Sequence, residues 1–352
     1  MAPLLPLVTV GMAVYNGERY IGEAIESVLT ENYPNWELLL VDDRSPDTSA
    51  EIIRTFTDPR IRLVENDVNL GLVGVRNRIL REARGTYIAW LDQDDITMPR
   101  RLDTQVAFLE AHPAYALCGS WTAMRTETAP GTFTDSTERL PETHEQIRAA
   151  MLFLNPVACN TVTMRVEAFT QNGLWFRPEF GNSLDYDLWS NASDTLRVCN
   201  LPEVLGAYRV HGGQTSQGAA LDRMNAHALQ IQADLALRAL GIDMTEGDRH
   251  WHAMATVSPI VVTDPSDLDH VAAWFGRLRA ANVTTRAFDA AEFDRALARQ
   301  WTSVVLGSFG VGESRARSLS RAVAGLGTIG VTKHQAAASV VQGIRRRLAR
   351  RS

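Results

Sequence analysis

The stretch Leu91-Asp92-Gln93-Asp94-Asp95 puts three carboxylates within four residues. Carboxylates this close repel one another and take up protons unless a cation shares the site. The chemistry they suggest is a divalent ion, Mn²⁺ or Mg²⁺, bridging to an anionic ligand. An isolated D-x-D is more often a solvated acidic turn, and here position weighs against that. An apolar, β-forming run, Thr86-Tyr87-Ile88-Ala89-Trp90, precedes the acids, and Met98-Pro99 with an amphipathic segment follows. The acids therefore sit in the loop after a buried strand, where open α/β sheets take ligands.

The elements that must position this loop are readable upstream. Residues 7–14 form a short apolar run closed by Tyr15-Asn16-Gly17, a strand and its exit turn. Tyr20, Ile21, Ala24, Ile25, Val28 and Leu29 then recur at helical spacing. Residues 36–41 read as a second buried strand ending in Asp42-Asp43-Arg44-Ser45, 48–57 as a helix and 61–64 as a third strand. Asn69-Leu70-Gly71 opens a helix with Leu72, Val75, Ile79, Leu80 and Ala83 on its core side. Strands alternating with helices at this spacing imply a doubly wound, mostly parallel sheet flanked by helices, because each parallel pair needs a crossover. Tyr15, Asp42, Asp43 and Asp92 to Asp95 all follow a strand directly, so such a sheet gathers them at one edge.

Composition narrows the function. The 352 residues, 45% hydrophobic and 22% charged, suit an ordinary globular chain of one large and one smaller domain. Cys118, Cys159 and Cys199 are far apart and odd in number, which argues against a disulfide framework or zinc cluster and for a reducing compartment. There is no run of 18 apolar residues and no cleavable signal pattern, so the expected location is cytoplasmic. Lys333 is the only lysine, and neither G-x-G-x-x-G after the first strand nor G-x-x-x-x-G-K-[ST] occurs. That excludes P-loop chemistry, Schiff-base catalysis and the usual dinucleotide fold. A dehalogenase-type phosphatase would need its nucleophile after the first strand, where this chain has Tyr15-Asn16.

Residues 8–17, Val41-Asp42-Asp43-Arg44-Ser45, Asn69-Leu70-Gly71 with Arg76-Asn77, Leu91 to Asp95, Asp185-Tyr186-Asp187-Leu188-Trp189, and Tyr208-Arg209-Val210-His211-Gly212-Gly213-Gln214-Thr215-Ser216 follow one another along the chain. Together they resemble the successive motifs of family 2 glycosyltransferases of the GT-A fold. The resemblance implies inverting transfer of a sugar from a nucleotide diphosphate donor to an acceptor hydroxyl, of the kind used in bacterial cell-surface polysaccharide, glycolipid or glycoconjugate synthesis. It further implies Asp94 as metal ligand, Asp92 facing the ribose or the metal, and Asp42 and Asp43 on the base. Ala13, Tyr15 and Gln93 fall beside them, and Arg76 is placed on the diphosphate. His211 either joins the metal site or packs as a loop histidine.

An inverting enzyme needs a base at the acceptor, and the resemblance points to Asp185; Leu184 stands where the family commonly has glutamate. Asp187, two residues on, is a secondary candidate whose simpler role is charge partner of a helix N-terminus. Asp95 is a secondary candidate at the metal. The rival reading is a catalytically silent nucleotide-sugar or carbohydrate-binding module on the same fold.

The motifs span a domain expected over 1–217. The remainder, 218–352, reads as a helical C-terminal region with amphipathic segments at 221–240, 268–281, 290–305 and 314–326. The pair His250 and His252 has no acid or cysteine at metal-site spacing and reads as structural. The basic tail, 343–352, holds five arginines and no acid, and without it the net charge would fall from −6 to −11. With Val340, Val341, Ile344 and Leu348 it could lie as a basic amphipathic helix on the inner face of an anionic membrane, or be a solvated tail. The expected partners are the nucleotide-sugar donor, a glycan, lipid-linked or other hydroxyl acceptor, and a second copy of the chain, with no nucleic acid.

Overall fold

A computed structural model describes residues 5–129, 131–212, 214, 219–257, 264 and 266–307, with Gly325 and Ile329. The tail 343–352 and, apart from Gly325, the helix expected over 314–326 lie outside the described residues. The chain divides into two compact units, Met1–Ile147 with Pro156–Leu221, and Arg148–Asn155 with Asp222–Ser352.

The first unit begins with strict alternation: β1 (Val8–Val14), α1 (Ile21–Leu29), β2 (Trp36–Asp42), α2 (Ser49–Arg54), β3 (Ile61–Glu65), α3 (Gly71–Glu82) and β4 (Tyr87–Trp90). β1 pairs in parallel with both β2 and β4, and β2 with β3. β1, β2 and β4 are buried almost end to end, as strands covered on both faces must be. The helix expected over 48–57 is shorter in the structure, Ser49–Arg54. α3 lies unusually close to β1: a Cβ on Gly11 would come within 2.7 Å of Ile79 Cγ2. That close seat fixes the height of α3 over the sheet.

Beyond β4 come β5 (Ile96–Thr97), α4 (Arg101–Ala111), β6 (Tyr115–Ala129), β7 (Thr132–Glu138), α5 (His144–Met151), β8 (Thr163–Arg165), α6 (Val166–Gln171), α7 (Leu184–Ala192) and β9 (Arg197–Val210). The sheet order is β3-β2-β1-β4-β8-β6-β9-β5, with β7 on β6. β8 runs antiparallel to β4 and β6, while β9 runs parallel to β6. Two reversals bring the C-terminal end of β9 to the same edge as the ends of β1, β2 and β4, together with the turn that enters β8. Under this edge Arg101 is 1% exposed and donates to the carbonyls of Trp90 and Val162, both at 2.9 Å. Gln105 of the same helix donates to the carbonyls of Cys118 and Thr161. α4 thus adds side-chain hydrogen bonds to backbone carbonyls where the sheet changes direction.

The second unit contains α8 (Ala219–Leu235), α9 (Glu246–Thr256), α10 (Asp267–Thr285) and α11 (Ala290–Gly307). α8 gives way at its C-terminus to a π-turn over Ala236–Leu240, closed by the left-handed Gly241. α9 is not anticipated as a helix above, although Thr245-Glu246-Gly247-Asp248 is a capping box with both reciprocal bonds formed. Its core holds Trp274, Phe275, Phe293 and Trp301, all fully buried. His252 is buried among them: Trp274 Nε1 donates to its Nδ1 at 3.1 Å, so its Nε2 proton goes to the Leu152 carbonyl at 3.0 Å. Among the described residues no helix is long and apolar enough to cross a membrane.

Burial lowers the His252 pKa from 6.5 to about 4. The unfolded chain then takes up a proton near pH 6.5 that the folded unit refuses until about pH 4, so stability is lost as pH falls through that window. The loss is at most roughly 3 kcal/mol. Urea denaturation followed by tryptophan fluorescence at pH 7.5 and pH 4.5 should show this loss, and His252→Asn, weaker at both values, should show a smaller difference between them.

Candidate functional site

The residues singled out by sequence converge on one sheet edge, each in its own environment. At the exit of β1, Ala13 is half-buried and paired in register with Val41, while Tyr15 is 50% exposed. Gln93 Nε2 donates to the Tyr15 carbonyl and Gln93 Oε1 accepts from Tyr15 N, both at 2.9 Å. Gln93, read above as a donor contact, is therefore committed to tying the acidic loop to the β1 exit. Gly17 leaves room for it, since a Cβ there would lie 2.3 Å from Gln93 Oε1.

At the exit of β2 both aspartates are 3% exposed. Asp42 accepts from Ser45 N at 3.0 Å and Ser45 Oγ at 2.5 Å, closing its own turn. Asp43 accepts from Asn66 Nδ2 at 2.6 Å, Leu70 N at 2.7 Å and Gly71 N at 2.8 Å. The last two donors are orphan N–H groups at the start of α3, where a carboxylate is electrostatically favoured. Roughly four acceptor positions exist on a carboxylate, so Asp43 keeps about one for anything else.

The three acids after β4 are sorted by what answers each charge. Asp92 accepts from Arg76 Nη2 at 2.5 Å. Arg76 is 5% exposed, its Nη1 2.6 Å from Cys159 Sγ and its guanidinium 5.3 and 5.7 Å from the ring centroids of Trp90 and Phe176. Burial works against the Arg76 charge, but the contact with Cys159 and the charges of Asp92 and Asp185 raise its pKa. Burial also raises the pKa of Asp92; Arg76 opposes that rise, and the charges of Asp94 and Asp185 add to it. Burial pushes the Cys159 thiol up to about 12, which makes it a neutral neighbour at ordinary pH.

Asp94 lies 3.0 Å from His211 Nε2, and His211 stacks obliquely on Tyr20 at 4.7 Å. Asp95 is fully buried: its Oδ1 accepts from Arg209 N at 2.8 Å, and burial raises its pKa well above the ordinary carboxylate value. Arg209, 1% exposed, donates Nε to the Asp94 carbonyl at 2.9 Å and Nη2 to Glu23 at 2.7 Å. Asp95 thus faces inward and braces the loop.

Asp185 stands half-buried in the first turn of α7, close enough for its charge to act on Arg76, Asp92 and Cys159. Asp187, in the same turn, is 1% exposed and held at both oxygens by Arg177, with Asn191 Nδ2 at 3.1 Å. The two aspartates therefore face different surroundings.

A divalent ion fits part of this arrangement. Asp94 Oδ2 and His211 Nε2, 3.0 Å apart as a hydrogen-bonded pair, are a carboxylate and an imidazole of the kind that would hold a divalent ion. Among the described residues no set of three His, Cys, Asp or Glu side chains forms a metal cage. A carboxylate and an imidazole alone suit an ion that completes its shell with water and phosphate oxygens. Sequence reading missed Arg209, although it lies in the same motif as His211. Cys159 had no local signal, being 83 residues from the arginine it touches.

Residues 9–171 match the sequence profile described as Glycosyl transferase family 2. An uncharacterized glycosyltransferase of Haemophilus influenzae is 34% identical over 218 residues, covering 60% of this chain and 68% of its own. The Escherichia coli protein named UDP-Glc:alpha-D-GlcNAc-diphosphoundecaprenol beta-1,3-glucosyltransferase WfaP is 30% identical over 213 residues, covering 60% of this chain and 80% of its own. Among solved structures, the mannosyltransferase PcManGT of Pyrobaculum calidifontis, in complex with GDP-Man and Mn²⁺, superposes with TM-score 0.53 at 21% identity, covering 92% of this chain and 88% of that one. S. aureus TarS 1–349 in complex with UDP-GlcNAc gives TM-score 0.53 at 17% identity, covering 90% and 89%. At these identities the two structures bear on the fold.

The separation of Asp185 from Asp187 is measurable as stability. Asp187→Ala removes a buried, doubly bonded carboxylate and should lower unfolding free energy by about 2 kcal/mol. Asp185→Asn, which keeps the side chain's size and one of its oxygens, should cost less in the same urea titration.

Proposed function

The chain belongs to glycosyl transferase family 2, and from that premise we propose an inverting transfer of a sugar from a nucleotide diphosphate donor to an acceptor hydroxyl, with Asp185 as the general base. The observation that carries this reading is the position of Asp185. Its carboxylate bears on Asp92 and Arg76 at the edge where the acidic loop emerges, while the neighbouring Asp187 is consumed by Arg177. A base acts on the acceptor hydroxyl as it attacks the anomeric carbon: the hydroxyl oxygen bonds to carbon, its proton passes to Asp185, and the bond to the diphosphate breaks on the opposite face. Such a base typically contributes ~10² to 10⁴ in rate.

On the donor side, Ala13, Tyr15, Asp42 and Asp43 frame the nucleoside, and Asp92 faces the donor. Arg76, being buried behind Asp92, acts by holding that carboxylate ionised and oriented. Gln93 acts by fixing Tyr15. Asp94 and His211 would hold the divalent ion, Mn²⁺ or Mg²⁺, which when bound supplies positive charge for the departing diphosphate. PcManGT, whose fold this chain shares, was solved with GDP-Man and Mn²⁺, which supports a metal-dependent site.

The catalytic domain we assign to residues 1–217. WfaP is named for a diphosphoundecaprenol-linked acceptor, and we take the acceptor here to be a glycan hydroxyl, lipid-linked or free, in the assembly of a bacterial surface polysaccharide or glycolipid. The enzyme would then work in the cytoplasm, at the inner face of the membrane where such acceptors are presented.

Calorimetry with UDP, dTDP and GDP should find at least one bound more tightly in Mn²⁺ than in EDTA, and Asp94→Asn should abolish the difference. Equal affinities would remove the metal from the site. Asp185→Asn should keep nucleotide affinity and lower kcat by ~10² or more. NMR of the product should show the anomeric configuration opposite to the donor's; retention would overturn the mechanism.

A further inference from the structure

Two consecutive residues of α3, Arg76 and Asn77, point about 100° apart around the helix, and each is spent on a different wall of the site. Arg76 takes Asp92 of the acidic loop at 2.5 Å. Asn77 takes the backbone of Phe176: its Nδ2 donates to the Phe176 carbonyl at 2.8 Å and its Oδ1 accepts from Phe176 N at 3.1 Å. One side-chain amide thus satisfies both polar groups of one residue, as a neighbouring strand would.

We propose that Asn77 is a positioning residue which, with Arg76 beside it, sets the Asp185 carboxylate against the acidic loop. This rests on the assignment of Asp185 above. The connection from Asn77 to Asp185 is continuous. The Phe176 ring, 2% exposed, packs edge-on to Trp90 at 5.4 Å and to Trp189 of α7 at 6.5 Å. The next residue, Arg177, grips both oxygens of Asp187. Within the intervening loop, Ser183 N donates to the Phe180 carbonyl at 2.7 Å, and Asp187 N to the Ser183 carbonyl at 3.0 Å. The start of α7 is therefore held at the height where Asn77 pins Phe176, and Asp185 lies in that first turn.

α3 is itself seated on β1 at Gly11, so the pair measures two walls from one rigid helix. A catalytic group must be held within roughly 0.5 Å of its productive place. Pinning the loop at 176 meets that need where the loop alone would not, since it crosses from α6 to α7 with only one short 3₁₀ turn, Pro178–Phe180.

The test is a double-mutant cycle on the full chain. Asn77→Asp keeps size and acceptor but replaces the donor with a carboxylate oxygen facing the Phe176 carbonyl. It should lower kcat by ~10- to 100-fold while nucleotide affinity by calorimetry stays within ~2-fold. In the Asp185→Asn background the same change should cost less than ~3-fold further, because a residue acting through Asp185 has nothing left to position. The full loss in that background, or a parallel loss of nucleotide affinity, would make Asn77 a general staple of the fold and overturn the proposal, as would unaltered kcat in Asn77→Asp when Asp185→Asn is impaired. Wild-type turnover in Asp185→Asn would remove the base assignment and this role with it. Asn77→Ser, which keeps one short hydrogen-bonding arm, should give an intermediate loss and serves in place of Asn77→Asp if that variant folds poorly.

Discussion

Three carboxylates cannot share one strand end at partial burial unless each is answered separately, because the desolvation penalty for an uncompensated buried charge runs to several kcal/mol per ion. This chain answers them from three directions. Arg76 reaches Asp92 from α3, His211 reaches Asp94 from the residue after β9, and the backbone of Arg209 reaches Asp95. The answers are unequal, and that inequality is what makes the loop useful. Asp95 is driven toward its neutral form inside the fold, Asp92 is balanced between burial and an arginine, and Asp94 has as partner an imidazole that can itself ligate a metal.

The topology follows from that need. The parallel strands β1 to β4 deliver only their own ends to this edge. Running β8 antiparallel to β4 puts the turn carrying Cys159 beside Arg76, and running β9 parallel to β6 returns Arg209 and His211 to the same place. The edge is also where the backbone is least relaxed: Asn16 and Arg44, the exit residues of β1 and β2, have φ of 57° and 60°. Non-glycine residues held there cost of order 1 kcal/mol or more each, and they persist where the surroundings over-determine them.

Loops that carry chemistry must be held as rigidly as the strands that deliver them, and side-chain amides do that here on both flanks of Asp92. Gln93 makes two bonds to Tyr15, and Asn77 makes two to Phe176. An amide is suited to this because it donates and accepts in one plane and can replace a missing strand neighbour. Neither residue carries charge to the reacting atoms, yet each determines where a charge or ring beside it stands.

The alternation of the first four strands and three helices was determined by the sequence alone, since buried parallel strands and amphipathic crossovers leave periodic patterns within a dozen residues. The acidic loop, its place after a strand and its gathering with Tyr15, Asp42 and Asp43 followed from that alternation. What the tertiary structure decided is the partner of each polar group. That Asp43 caps α3, that Gln93 bonds to Tyr15, that Arg76 lies behind Asp92 and that Asp187 belongs to Arg177 depend on contacts between residues 10 to 78 apart. Local periodicity carries no record of such pairings. The antiparallel half was equally hidden, because β7 is polar and exposed and β9 is broken by Pro202, so neither alternates as a half-buried strand would. A titratable residue is visible in a sequence, but the burial and the neighbour that set its charge exist only once the sheet has closed around it.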